Sequence, residues 1–162
     1  MTSNRNRSAG RPGEEVSELD KRIIEHLQED GRRPYTQIAA ELGVSEAAIR
    51  ARTNRLVERG ILQIVGVTDP LKLGFHQMAM VGVRCERDRL VAVAEAVAEM
   101  PEVDYVVITA GTYDLLVETV CEDNEALLRF LAERLRTIDG VRETETFVYL
   151  RMVKQTYQWG TR

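Results

Sequence analysis

The chain of 162 residues lacks the features of membrane-spanning and secreted proteins. It has no run of about 18 apolar residues, which a transmembrane helix requires, and residues 1–13 contain scattered arginines but no apolar signal stretch. Two cysteines, Cys85 and Cys121, are too few for a disulfide framework and lie in apolar strand patterns. The sequence therefore predicts free, buried thiols, no membrane partner and a location in the reducing cytoplasm.

Groups that carry catalysis or bind metals are equally scarce. The two histidines, His26 and His76, have no spacing suited to a metal site. There is no Gly-rich phosphate loop, no nucleophile motif and no plausible catalytic triad. The sequence therefore predicts no catalytic residue, no metal and no cofactor.

The net charge of −4 is distributed unevenly along the chain. Residues 1–62 contain 11 Lys/Arg and 10 Asp/Glu, whereas residues 63–162 contain 11 and 16. Residues 45–59 alone hold four arginines and two glutamates. Because affinity for nucleic acid depends on local positive surface rather than on total charge, the negative total does not exclude DNA binding by the N-terminal part.

Residues 16–62 have the periodicity of three helices. Ser17 and Asp20 resemble a capping box at the start of the first helix. Gly43 should end the second helix, and Ser45 is a favourable N-cap for a third helix over residues 46–59. Three helices in about 45 residues with such a tight turn are typical of helix-turn-helix architecture. The predicted inward positions are Leu19, Ile23, Leu27, Ile38, Ala39, Leu42, Ile49, Thr53 and Leu56.

The outward face of the third helix suits the major groove of duplex DNA. Arg50 can bond to guanine and Asn54 to adenine, while small alanines allow close approach. The predicted contacts on this helix are Ser45, Glu46, Ala47, Arg50, Ala51, Asn54 and Arg55, and those predicted for phosphates near the second helix are Arg33, Thr36 and Gln37. Arg52 and Arg59 flank the buried face, and either reach phosphates or form ion pairs. The alternative is that the charged face is only solvated.

The rest of the chain predicts a linker and a second domain. Residues 63–75 form a short strand, 63–67, and a hinge. Residues 76–154 show a weak internal repeat, with strands at 78–85, 103–109, 115–121 and 141–153, and helices at 88–100 and from Asp123 to Gly140. This βαββαβ order is the antiparallel ferredoxin-like arrangement. The predicted fold class is thus α+β, with a disordered tail at residues 1–15 and a C-terminal tail at residues 155–162.

The tails have weaker interpretations. Arg5, Arg7 and Arg11 could form an arm that touches phosphates, and Tyr157 with Trp159 should pack on a neighbour.

The predicted sheet should have one apolar face without a cover. Both helices of a ferredoxin-like domain lie on one face, yet the first strand directs Ala79, Val81 and Val83 to one side and Met78 and Met80 to the other. Such a face favours self-association, most commonly as a twofold homodimer. A dimer would present two DNA-reading helices, which predicts a pseudo-palindromic DNA site.

A hairpin at residues 110–114 is the candidate ligand site. Its backbone N–H groups could bind the carboxylate of a free amino acid, with Asp114 accepting from the ammonium group and Tyr113 forming an aromatic wall. The alternative is an ordinary turn, because Gly and Asp are common turn residues.

Three segments carry a resemblance to the leucine-responsive regulatory protein/asparagine regulator (Lrp/AsnC) family: LDKRII at 19–24, IAAELGVS at 38–45 and RTNRLVERGIL at 52–62. GTYD at 111–114 resembles the effector-domain hairpin of that family, and the match spans residues 16–154. One departure is Thr53, where the family usually has an aliphatic residue.

The resemblance implies a transcriptional regulator with an N-terminal helix-turn-helix and an amino-acid-sensing domain, assembled as dimers and often octamers. It also implies a nucleoid-associated location and an effector beside the hairpin, between adjacent dimers. The effector contacts that follow are Gly111, Thr112, Tyr113 and Asp114, with Thr109, Thr144 and Thr146 as weaker candidates.

Two alternatives to a transcriptional regulator are open at this stage. Some proteins that resemble this family decarboxylate tetrapyrrole precursors, a reaction that needs several cationic groups and a proton donor; the acidic C-terminal half, with few histidines, is poorly suited to it. The other alternative is a metabolite-binding assembly module that does not read DNA. Arg50 and Asn54 on the outward helix face argue against that module.

Overall fold

The computed structural model describes residues 16–156 and residue 161, and they form two compact units. The N-terminal unit comprises the described residues up to Val67 together with those after Lys154, and the C-terminal unit is Thr68–Lys154. Arg5, Arg7, Arg11, Tyr157 and Trp159 lie outside the described residues, so the interpretations given to them stay predictions.

Three helices form the N-terminal unit: α1 (Glu18–Glu29), α2 (Tyr35–Leu42) and α3 (Glu46–Glu58). They surround one apolar cluster, because each helix buries one stripe of its surface. The buried members of this cluster are Ile23, Ile24, Leu27, Ile38, Ala39, Ile49, Leu56 and Leu62. The prediction of three helices with these inward faces is confirmed.

The ends of these helices follow from local hydrogen bonds. The Ser17 hydroxyl accepts from the Asp20 N–H at 3.2 Å, and the Asp20 carboxylate accepts from the Ser17 N–H at 3.2 Å, so the predicted capping box is present. Gly43 ends α2 with φ of +68°, a left-handed conformation that glycine adopts without strain. The Ser45 hydroxyl then caps α3 by accepting from the Ala48 N–H.

A partly buried ion pair joins α3 to the start of α1. Arg52 donates to the Asp20 carboxylate at 3.0 Å and to the Ser17 hydroxyl at 3.3 Å. Burial pushes the pKa of Asp20 upward, but hydrogen bonds from Ser17 and Arg52 outweigh it and hold that pKa below its usual value. Of the two roles predicted for Arg52, the structure therefore has the ion pair.

Thr53 faces the core of α3 and is almost completely buried. Among the described residues its hydroxyl has no hydrogen-bond partner. A buried hydroxyl without a partner destabilises a fold, which makes Thr53 a weak point of this core.

The linker differs from the prediction. Residues 63–67 form no strand, and Ile64, Val65 and Val67 are exposed. A strand requires a neighbour to pair its backbone groups, and no neighbouring strand of the described chain pairs with this segment. The predicted hinge contains a short 3-10 helix, Pro70–Leu73, which Asp69 caps by accepting from the Leu71 N–H.

The C-terminal unit has the predicted βαββαβ order. Its elements are β1 (Gln77–Cys85), α4 (Leu90–Ala98), β2 (Val103–Ile108), β3 (Leu115–Cys121), α5 (Asn124–Arg129) and β4 (Val141–Val148). The strands form an antiparallel sheet in the order β2-β3-β1-β4. The α+β fold class is therefore confirmed.

Several helices and strands begin or end at residues other than those predicted. The helix predicted to start at residue 88 starts at Leu90, and the helix after Asp123 continues from α5 as a π-helix, Phe130–Leu135, and stops before Gly140. The last strand ends at Val148 instead of residue 153. Beyond Val148, β1 supplies only one more hydrogen bond, from the Tyr149 N–H to the Met78 carbonyl at 2.8 Å.

The two faces of this sheet have different surroundings. On one face, Ala79, Val81 and Val83 are fully buried under α4, α5 and the π-helix, where Phe130 is a core residue that the sequence analysis missed. Side chains paired across a ladder point to the same side. The second face, named the open face, therefore carries Met78, Met80, Gly82 and Arg84 of β1, Leu116, Glu118 and Val120 of β3, and Glu143, Glu145 and Phe147 of β4.

Both cysteines are free and buried, as predicted. Cys85 ends β1, whereas Cys121 pairs with Gln77 at the start of that strand, so the two thiols lie at opposite ends of adjacent strands. Burial raises the pKa of both thiols. A disulfide within the chain is thereby excluded.

Replacement of Asp20 should lower the stability of the N-terminal unit and should reduce the further loss of stability at acid pH. Asp20→Asn should lower the free energy of unfolding at pH 7 by about 1–3 kcal/mol, because Arg52 loses its buried partner. In the native chain the lowered pKa makes this contribution fully present above about pH 4, and it is lost as pH falls through the folded-state pKa. Denaturant titrations followed by circular dichroism at pH 7 and pH 3 would measure both effects.

Glu18→Gln is the matched control, because Glu18 is an acid of the same helical turn with a side chain that is 84% exposed. An equal loss of stability in both variants would show that the partly buried ion pair contributes nothing specific.

Candidate nucleic-acid interface and ligand cleft

One shallow concave surface runs along the exposed side of α3. Its lining residues occupy adjacent turns of the helix, opposite the buried Ile49 and Leu56, and enclose a volume of about 530 Å³. They are Glu46, Ala47, Arg50, Ala51 and Asn54. The structure thus brings together five of the predicted DNA contacts on one surface, and the side chains include both residue types that read purines in a major groove.

Arg50 is held at this surface by two neighbours. Its guanidinium donates to Glu46 at 2.5 Å and lies 5.3 Å from the centre of the Tyr35 ring. Because the pair is exposed and one turn apart on the helix, it is weak and can be exchanged for another partner. Tyr35, the first residue of α2, is a neighbour of the site that the sequence analysis missed.

The remaining predicted contacts surround this surface. Thr36 and Gln37 lie exposed in the first turn of α2, where Gln37 donates to Glu41 at 3.0 Å. Arg33 precedes that helix and contacts Glu29 and His26. Arg55 is exposed on α3, one position beyond Asn54, and Ser45 lies at the start of α3 as its N-cap.

A second concavity, named the arginine cleft, lies at the edge of the sheet where β1 ends and β4 begins. It has a volume of about 520 Å³. That size is within the roughly 300–1,000 Å³ of small-molecule sites. The lining residues are Arg84, Tyr113, Arg136, Val141, Arg142, Glu143, Thr144 and Glu145.

The register of β1 with β4 creates this cleft. Arg84 is paired with Glu143 across the ladder and forms an ion pair with it at 3.0 Å. Arg84 also donates to the Thr112 carbonyl at 3.2 Å, and its guanidinium lies 5.7 Å from the centre of the Tyr113 ring. The sequence analysis named Thr112 and Tyr113 but missed Arg84 and Glu143, because the two charged residues meet only through the pairing of β1 with β4.

Tyr113 forms a wall of the cleft because Gly82 leaves room for its ring. A Cβ atom at position 82 would lie 2.6 Å from the ring, a distance that real contacts do not reach. The ring also meets Phe147 edge to face, with centroids 6.3 Å apart. Tyr113 is therefore seated on the open face of the sheet.

The rest of the predicted hairpin is held by hydrogen bonds of its own. The Asp114 carboxylate accepts from the Cys85 N–H at 2.8 Å, and the Thr109 hydroxyl donates to the Tyr113 carbonyl. Gly111 is exposed, with no atom near its Cα substituent position. Among the described residues, the hairpin forms the border of the cleft at two points. These are the Tyr113 ring and the Thr112 carbonyl, which accepts from Arg84.

The two threonines predicted on the last strand differ in position. Thr144 lines the cleft, and its hydroxyl accepts from Arg136 at 3.0 Å. Thr146 pairs with Val81, two positions further along the same side of β4, and it does not line the cleft.

Residues 16–156 contain no group of three potential metal ligands, and none of their helices is long and apolar enough to cross a membrane.

Known proteins resemble both units. A family model described as the AsnC-type helix-turn-helix domain matches residues 16–57, and one described as the Lrp/AsnC ligand binding domain matches residues 78–159. A protein of Pyrococcus horikoshii named as an uncharacterized HTH-type transcriptional regulator is 37% identical over 147 residues, which is 90% of this chain and 90% of that protein.

Solved structures have the same fold. The structure of Escherichia coli AsnC covers 88% of this chain and 97% of its own, with a TM-score of 0.80 and 24% identity. A transcriptional regulator of Neisseria meningitidis, crystallised as a complex with L-Met, covers 88% of this chain and 95% of its own, with a TM-score of 0.80 and 23% identity. Both domain models and a relative of 37% identity agree with the observed architecture, and the chain therefore belongs to the Lrp/AsnC family of transcriptional regulators.

Proposed function

We propose that the chain is a sequence-specific DNA-binding regulator whose assembly or DNA affinity changes when it binds an amino acid. The observation that carries the proposal is the concave surface of α3, where Arg50 and Asn54 lie side by side above small alanines. In a major groove, such side chains contact guanine and adenine, while Arg33, Thr36 and Gln37 can contact the phosphates beside them.

The open face of the sheet is suited to self-association, which the DNA-binding proposal includes. Tyr105 and Phe147 are about half exposed on that side of the sheet, and Met80 and Leu116 lie between them. An apolar sheet face of this kind is stabilised when a second copy covers it. A twofold homodimer, which octamers could extend, would present two α3 helices to a pseudo-palindromic duplex site.

The effector site of this proposal combines the arginine cleft with the hairpin that bounds it. Its residues are Arg84, Thr109, Gly111, Thr112, Tyr113, Asp114, Arg136, Arg142 and Thr144. Guanidinium and hairpin N–H groups suit a carboxylate, and Tyr113 supplies an aromatic wall. Thr109 and Asp114 would contribute by holding the hairpin in place. The L-Met complex of the Neisseria regulator supports an amino acid as the class of ligand.

A ligand at this cleft can act on DNA binding only by binding one state of the protein more tightly than another, whether the states differ in assembly or in DNA affinity. Tyr113 belongs both to the cleft and to the open face. A ligand that contacts its ring would therefore change the surface through which copies associate. The proposed location is the cytoplasm, in association with the nucleoid.

Loss of the Arg50 side chain should remove base discrimination. Arg50→Ala should weaken binding to a preferred duplex by about 1–3 kcal/mol and relax base preference at one position of each half-site. Fluorescence anisotropy with the preferred duplex and single-base variants would measure both quantities. Arg151→Ala, which removes an equal charge from an exposed position of the C-terminal unit, is the control. Equal weakening on every duplex would assign Arg50 to a phosphate.

A charge on the open face should prevent self-association. Met80→Lys places an ammonium group in the middle of that face, where Glu118 can neutralise it in a monomer but a covering copy would desolvate it. Light scattering should show a shift toward the 18.4 kDa monomer. Val91→Lys, at an exposed position of α4, should leave the assembly intact. A native chain that is already monomeric at working concentration would contradict the proposal.

Removal of the Tyr113 ring should weaken effector binding. A thermal-shift screen of the twenty amino acids identifies the effector. Tyr113→Ala should then reduce the affinity for that effector about tenfold or more by removing the aromatic wall. Tyr113→Phe keeps the ring on Gly82 and should bind as the native chain does. The cleft would lose its assigned role if the alanine variant titrated like the native chain.

A further inference from the structure

We propose that the arginine cleft selects an acidic amino acid, a ligand with two carboxylates and one ammonium group. The inference rests on the proposed function, because it assigns a ligand class to the effector site named there. Its basis is the set of charges around the cleft, since five of the eight lining residues are charged.

The charges of the lining do not cancel. Among the lining residues, three arginines and two glutamates leave one positive charge in excess, and the Asp114 carboxylate of the hairpin does not line the cleft but accepts from the Cys85 N–H. An acidic amino acid has a net charge of −1 and neutralises that excess. A neutral amino acid leaves it in place, and a basic one adds to it. Because specificity is a difference of affinities, this excess favours acidic ligands and opposes lysine or arginine.

The arginines differ in how fully they are bound. Arg84 already contacts Glu143, the Thr112 carbonyl and the Tyr113 ring. Arg136 uses only its Nε atom, which donates to Thr144, so its terminal nitrogens face no partner within the described chain. Arg142 is exposed and forms no hydrogen bond or ion pair with any described residue.

Two guanidinium groups are thus available for two carboxylates. A guanidinium binds a carboxylate through two parallel hydrogen bonds, a geometry that lysine or a backbone N–H cannot reproduce. Glu145 lines the same cleft and forms no ion pair among residues 16–156, so it can accept from an ammonium group. Each charge of an acidic amino acid has a complementary group in the cleft.

The cleft offers little to an apolar side chain. Val141 and the Tyr113 ring are its only mainly apolar lining groups, whereas sites for apolar ligands are lined mostly by hydrophobic side chains. The lining therefore favours a charged side chain over one such as that of methionine.

Glutamate and glutamine provide a sharp test, because they have the same shape and differ by one charge. Calorimetric titration of the full chain should give an affinity for L-glutamate at least about tenfold higher than for L-glutamine, with the same order for aspartate over asparagine. The difference should shrink as salt is raised, because the cleft is open to solvent. Equal affinity for glutamate and glutamine would overturn the proposal.

Arg142→Gln tests the site itself. Arg142 has no partner in the described chain, so its replacement should leave folding unchanged while it lowers glutamate affinity about tenfold. Arg129→Gln, which removes an exposed arginine of α5 outside the cleft, should change neither. If the affinity for glutamate were the same in Arg142→Gln as in the native chain, the ligand would bind elsewhere.

The two proposals can fail separately. If a neutral amino acid binds at least as tightly as glutamate and shifts DNA affinity, the acidic ligand class is wrong and the amino-acid response stands. If none of the twenty amino acids binds while DNA binding is retained, the proposed amino-acid response itself is wrong.

Discussion

The alternation of side chains along β1 is the constraint on which the C-terminal unit depends. Paired on both sides, by β3 and β4, this strand directs Ala79, Val81 and Val83 under the helices. The alternate positions, from Met78 to Arg84, then necessarily lie on the open face. The same strand supplies fully buried core residues, apolar side chains on the face through which we propose that copies associate, and one wall of the arginine cleft. A shift of one residue in the register of β1 would move its core side chains to the open face and its open-face side chains under the helices.

In the N-terminal unit, the orientation of α3 is set by contacts on the side of the helix that lies opposite the concave surface. Ile49 and Leu56 bury one stripe, and Arg52 reaches across to the capping box of α1. Because these contacts set the rotation of the helix, Arg50 and Asn54 are directed outward together. The surface that we propose to read DNA is therefore positioned by residues that would not touch DNA.

Local chemistry made much of this fold predictable. The capping box of Ser17 and Asp20, the turn at Gly43 and the βαββαβ order are encoded by neighbouring residues, and the sequence analysis identified all of them. Residues 63–67 show the limit of this approach. Their apolar pattern is that of a strand, but a strand exists only where another backbone pairs with it. The predicted length of β4 was too great for the same reason. This strand pairs with β1, so it can extend only as far as the first residues of β1.

The site was less predictable than the fold. Outward positions on α3 follow from helical periodicity, which is why the surface around Arg50 was anticipated. The arginine cleft instead joins residues far apart in the chain, and Arg84 meets Glu143 only through the ladder register. Tyr113 was identified from the hairpin. The packing of its ring against the Gly82 backbone joins two separate segments, so neither segment alone predicts it.

The position of this ring has a consequence for residue 82. The Tyr113 ring lies directly on the backbone of Gly82, and any Cβ atom at that position would meet it. Because the same ring lines the arginine cleft and meets Phe147 on the open face, a side chain at position 82 would alter both surfaces at once. A single glycine in the middle of a strand is thus shared by the rim of the sheet and by its open face.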